Sequence, residues 1–202
     1  GLSITGNTIK EGCSLAAIRV DVPDGSITYA LTVTGNSIYN VTGMGIDGQG
    51  ADNSVASTIS TNAIHTCTVG IRWDGDNTVI SGNSIMDSSS YGIESRGAAN
   101  SITGNAIKDA GAASILCQAA VDPVITGNSC DASGAHSYEI GLFGTTTRYI
   151  VSSNRIKTVS PYAVTVDTNA NTGLIIGNNM SGYTTGSVND ASTTATIANN
   201  VT

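Results

Sequence analysis

Apolar residues recur along this chain in a fixed relation to asparagine. ITGNTI at 4–9 returns as VTGNSI at 33–38, ISTNAI at 59–64, ISGNSI at 80–85, ITGNAI at 102–107, ITGNSC at 125–130, VSSNRI at 151–156 and IIGNNM at 175–180. A degenerate copy, TIANNV, stands at 196–201. The recurring asparagines are Asn7, Asn36, Asn62, Asn83, Asn105, Asn128, Asn154, Asn178 and Asn199. In the last copy Asn199 and Asn200 both fit. Two residues after each asparagine comes an apolar residue, from Ile9 to Met180 and, in the last copy, Val201. β-Branched side chains dominate this row, which favours strands over helices. The Gly-Asn pair marks a tight turn, because both residues tolerate positive φ.

A second apolar row follows, with Ile18, Ile46, Ile71, Ile93, Ile115, Ile140, Val164 and Val188 at its centre. Each repeat therefore reads strand, Gly-Asn turn, strand, longer turn, strand. Such a repeat buries nothing alone and must stack on its neighbours. The expected fold is all-β: a parallel β-helix of about nine coils of ~24 residues, filling 1–202 as a single domain. The asparagines should form an internal ladder that satisfies buried turn backbone.

Composition narrows the partners. Only 11% of residues are charged and the net charge is −7. Phosphate binding needs clustered Lys and Arg, so no nucleic acid is expected. No apolar run is long enough for a membrane span. The cysteines lack metal spacing, and His65 and His136 stand apart in the sequence. No metal and no cofactor are expected. The four cysteines should be free thiols, with Cys117 and Cys130 replacing apolar core residues.

The ITGN-x-I turn, followed by a strand such as Val69-Gly70-Ile71 or Tyr91-Gly92-Ile93, resembles the pectin-lyase-like β-helix superfamily. That group includes pectate lyases, polygalacturonases, sugar-hydrolase repeats and phage tailspikes. The resemblance covers the whole chain, and with the crossover rule it implies a right-handed helix. It also implies polysaccharide as partner, with hydrolysis or elimination open, and an extracellular or virion-surface location. The tailspike likeness suggests a homotrimer. Because the chain begins and ends on repeat strands, a fragment of a longer fibre is expected. Of the polygalacturonase motifs only Arg155-Ile156-Lys157 occurs, and it falls on the repeat itself. The competing reading is a non-catalytic fibre or adhesin shaft.

Alternation around the second apolar row gives its outward residues. One place on, they run Arg19, Asp47, Arg72, Glu94, Leu116, Gly141, Thr165 and Asn189. Three places on, they include Asp21, Asp74, Arg96 and Phe143. Charges converge in the early coils, beside the longest loops, near 21–30 and 48–56. For hydrolysis, Glu94 is the candidate general acid, with Asp47 or Asp74 activating water. The strand spacing puts these carboxyls about 8–10 Å apart, near the range of inverting glycosidases. Arg72, Arg96 and Arg19 are the candidate substrate-binding residues. An arginine between calcium-held carboxylates resembles the layout of pectate lyases instead. The plainer alternative is a surface salt ladder running Arg19, Asp47, Arg72, Glu94. Arginines close by also favour an ionised carboxylate over the protonated acid that hydrolysis needs. Trp73 reads as core, between Gly48 and Ser95. Tyr91, Tyr138 and Tyr162 read as inward, and Phe143 as outward and open to a ligand or subunit contact.

Overall fold

The computed structural model describes residues 1–21, 30–49 and 56–202. The segments within 21–30 and 48–56, expected to wall the charged face, lie mostly outside the described residues.

Among the described residues there are strands and no helix. Three parallel sheets run the length of the molecule, with nine, eight and eight strands. The first opens with Leu2–Thr5, the second with Thr8–Lys10 and the third with Ala16–Arg19. Every successive strand of a sheet comes from the next coil. The chain thus makes eight complete coils and adds one strand of a ninth, Ala195–Ala198, rather than nine full coils.

The interior is three apolar rows. Ile4, Val33, Ile59, Ile80, Ile102 and Ile125 are in register in the first sheet. Ile38, Ile64, Ile85, Ile107, Cys130, Ile156 and Met180 follow one another in the second. Ile18, Ile46, Ile71, Ile93, Ile115, Ile140, Val164 and Val188 do so in the third. Most of these side chains are fully buried, and each buried isoleucine contributes about 1.5–3 kcal/mol.

The asparagine ladder stands at the turn between the first two sheets. Asn105 donates both its backbone N–H and its Nδ2 to Asn128 Oδ1, at 3.0 and 2.9 Å. Its own Oδ1 accepts the same pair from Asn83, at 3.0 and 2.9 Å. A further Nδ2 bond reaches Ile80 O at 2.9 Å. The motif repeats from Asn7 through Asn178. The last rung is Asn200, which accepts from Asn178 at 2.9 and 3.0 Å. Asn199 instead takes the left-handed place, φ 52°, that Gly177 holds one coil earlier at 65°. The register therefore shifts by one, and Val201 lies exposed outside the apolar row. An asparagine satisfies either place, which is why the sequence left both open.

Trp73 fills the third sheet's interior as expected. A Cβ on Gly48 would lie 2.2 Å from its ring, and its indole N–H donates to Thr78 Oγ1 at 2.9 Å. All four cysteines are free.

Two outcomes follow. Asn105→Ala strips Asn83 of its acceptor and Ile80 O of its donor, all buried, and should cost about 2–4 kcal/mol. Asn7→Ala, at an exposed end rung, should cost well under half of that. Urea unfolding of both variants measures the difference, and equal losses would break the continuous-ladder account. As to the thiols, burial pushes Cys117 up to about 12 and Cys67 upward; Cys130 is pushed upward by burial and then by the charge of Glu139. These three are buried neutral thiols, slow to react as nucleophiles. A thiol reagent at pH 8 should label only Cys13 rapidly in the native protein and all four cysteines after denaturation.

Candidate functional site

The outer face of the third sheet carries the charged cluster. Pairing places Arg19 beside Asp47, Asp47 beside Arg72, and Arg72 beside Glu94. The side chains do not zip into the simple ladder that this order suggests. Arg19 turns along its own strand to Asp21, at 3.4 Å. Asp47 is buried and uses Oδ1 to accept the Gln49 N–H at 3.1 Å.

Glu94 is the centre of the cluster. It is 5% exposed. Arg96, two residues on along the strand, donates to Glu94 Oε1 from Nε at 3.0 Å and from Nη2 at 2.6 Å. Arg72, one coil earlier, brings Nε to 4.0 Å from Glu94 Oε2. That Arg72 Nε is buried and forms no hydrogen bond. Asp74 is partly buried on the same face. Both guanidiniums thus converge on one carboxylate. Oε1 holds two charge-assisted bonds from Arg96, and Oε2 faces the Arg72 guanidinium.

Further along the same face the charges give way to rings. Tyr91, Tyr138 and Tyr162 are half-buried rather than inward. A Cβ built on outward-facing Gly141 would lie 2.4 Å from the Tyr138 ring and 2.6 Å from the Phe143 ring. Both rings therefore lie over the bare backbone of Gly141, 5.0 Å apart between centroids and tilted by 36°. Strict alternation fails here because the sheet bends just before its central residue. Two consecutive residues point inward at that corner. A Cβ on Gly92 would meet Ile107 Cγ2 at 2.5 Å, and the same holds for Gly45 against Ile64 and Gly70 against Ile85. The residue before the corner is then turned outward.

The corner row also holds a group that the sequence reading missed. Where earlier coils have glycine, later coils have Ser114 and Glu139, both fully buried. Glu139 Oε2 accepts from Ser114 Oγ at 2.7 Å, and Oε1 from Thr158 Oγ1 at 2.7 Å. His136 Nε2 lies 2.7 Å from Oε1, at ion-pair distance but out of line for a hydrogen bond. Cys130, smaller than the isoleucines of its row, leaves space beside this network. The signal was a glutamate directly before Ile140, in a position held by glycine in three other coils. Enclosed in the solenoid, the network joins three coils and offers nothing to a surface ligand. Among the described residues no group of three or more His, Cys, Asp or Glu could hold a metal ion. Nor is any helix long and apolar enough to cross a membrane.

A family model described as "Right handed beta helix region" matches residues 1–156 and 51–202. The chain belongs to the right-handed β-helix family. No curated protein gives a significant match. Among solved structures, this β-helix is similar to the enzymatically active domain of tailspike protein 2 of bacteriophage CBA120. Identity is 12% and the TM-score 0.62, over 96% of this chain and 37% of that one. It is also similar to a double mutant of the tailspike protein of E. coli bacteriophage HK620 in complex with pentasaccharide. There identity is 13% and the TM-score 0.54, over 98% of this chain and 46% of the other. The β-helix thus spans less than half the length of both tailspike chains, and the likeness is one of fold.

Removing one partner from a buried charged network leaves the others unmet. Glu139→Ala should lower stability by about 3–5 kcal/mol. Chemical denaturation checks this, and a loss under about 1 kcal/mol would mean that the cavity fills with water at little cost.

Proposed function

We propose that this β-helix binds a polysaccharide along the outer face of its third sheet, at a virion or extracellular surface, and that the Asp47, Arg72, Asp74, Glu94 and Arg96 cluster is the polar end of that site. The observation that carries the reading is the pair of guanidiniums gathered on one carboxylate. Arg96 is hydrogen-bonded to Glu94 and presents a side chain 40% exposed, while Arg72 is drawn to within 4.0 Å of the same carboxylate. Preorganised arginine forks recognise sugar carboxylates and hydroxyls at reduced entropic cost. Support from relatives is the tailspike fold, in one case a tailspike in complex with pentasaccharide. Arg19, turned aside to Asp21, sits at the margin.

Binding is better supported than cleavage. Glu94 is 5% exposed and shared between two guanidiniums, the arrangement of a fixed ion pair rather than of an acid open to a leaving group. On this reading Glu94 is a positioning residue, and Asp47, tied to the Gln49 N–H, caps its own loop. A non-catalytic shaft of a homotrimeric fibre would need none of this convergence.

The test is retention on a panel of E. coli O-antigen and capsular polysaccharides together with polygalacturonate, read alongside reducing-end release. The wild-type chain should retain at least one polymer. Arg72→Ala and Glu94→Gln should weaken that binding about tenfold or more, and Arg155→Ala, a cation on the second sheet, should not. No retention would leave the shaft reading, and retention equal in all variants would make the cluster a salt ladder with the site elsewhere. Reducing ends released by the wild type and lost in Glu94→Gln would instead establish cleavage.

A further inference from the structure

We infer that the Tyr138–Phe143 ring pair over Gly141 is a stacking subsite for the apolar face of a pyranose, so that a bound glycan runs along the solenoid axis from the Glu94 cluster to this pair. The inference rests on the polysaccharide reading above and adds to it a second contact and a direction.

Three observations converge. First, the rings are placed by an absence. Gly141 continues the outward row of Glu94 and Leu116, and any side chain there would collide with both rings. Five residues apart on one strand, Tyr138 and Phe143 can meet only over that bare backbone. The result is a partly exposed apolar pad on the outer face of the sheet. Aromatic faces on a rigid support offer large contact area at little entropic cost.

Second, the pad has a polar rim suited to a sugar. Tyr91 and Tyr162 are half-buried nearby in the same outward row as Tyr138. Burial, and then Tyr91, push the Tyr138 phenol up to about 12, so it stays neutral and can donate or accept at any ordinary pH. A pyranose likewise presents C–H groups on its face and hydroxyls at its edge.

Third, the spacing suits one ligand. Glu94 and Gly141 are two strands apart in the same row, about 10 Å at the usual strand separation. Leu116, 5% exposed, lies between them and leaves no charged side chain in the path. A short oligosaccharide laid parallel to the axis would meet the guanidiniums at one end and the rings at the other. The surface faces a sugar better than a second copy of this chain, because the apolar area is confined to a few rings beside a charged patch.

The experiment uses the polymer retained in the panel above and compares Phe143→Ala, Phe143→Leu, Tyr138→Phe and Gly141→Ala with wild type. Thermal melting checks that each is folded. Phe143→Ala and Phe143→Leu should both weaken binding about tenfold, because bulk without a π face does not stack. Tyr138→Phe, which keeps the stacking face and loses one edge hydrogen bond, should weaken binding only about threefold. Gly141→Ala should weaken binding without removing a ring, by pushing the rings apart. If the polymer binds and the Phe143 variants bind as wild type does, the subsite is wrong while the polysaccharide reading stands. If Arg72→Ala also binds as wild type does, the charged cluster is not the other end of the site and the direction inferred here is overturned; if nothing on the panel is retained, the polysaccharide reading fails and the subsite with it. If the Phe143 variants change the sedimentation of the protein and leave glycan binding intact, the pad is a contact between copies and the inference is overturned.

Discussion

Everything in this molecule depends on each coil being fixed in register over the one before it. A parallel stack buries the backbone of its tightest turn in every coil, and buried N–H groups left unmet are costly. The asparagine ladder meets that demand at the tightest turn. One side-chain oxygen takes two N–H donors from the neighbouring coil, and the side-chain nitrogen reaches back to a strand carbonyl. Because the same residue repeats in every coil, a slip by one residue would break all rungs together.

That register lets coil length vary. Successive rungs are separated by as few as 21 and as many as 29 residues. The variation is absorbed in the turns, which face solvent, while the three sheets stay continuous. Substitutions that alter the interior are also absorbed locally. Cys130 replaces an isoleucine where Glu139 and Ser114 enter the core, and Gly48 thins the wall where Trp73 fills it. Each large or polar intruder has a small residue or a set of donors beside it.

The same rigidity gives the outer face of the third sheet its character. Side chains on a flat, in-register sheet have their neighbours assigned in advance, so Arg72 and Arg96 are held against Glu94 without help from a ligand. Two coils further on, the missing side chain of Gly141 brings two rings together. Charged and aromatic groups thus stand in one row along the solenoid axis.

The sequence by itself determined the repeat, the asparagine rungs from Asn7 to Asn178, the inward rows and the outward order Arg19, Asp47, Arg72, Glu94. These follow from a period and an alternation, which local sequence carries directly. It also foretold the burial of Trp73, because small residues flank it in its row. Tertiary structure decided the rest. Asn200 rather than Asn199 became the last rung, because a turn with two asparagines is resolved only by stacking. The tyrosines turned outward, because a corner with two inward residues interrupts the alternation. Arg96 took Glu94 from its own strand and Arg19 took Asp21, because a charged side chain with several partners in reach settles on the one its neighbours' packing leaves open. Glu139 passed unread because its meaning lies in Ser114 and Thr158, each in a different coil, and such a meeting is set only when the coils are stacked.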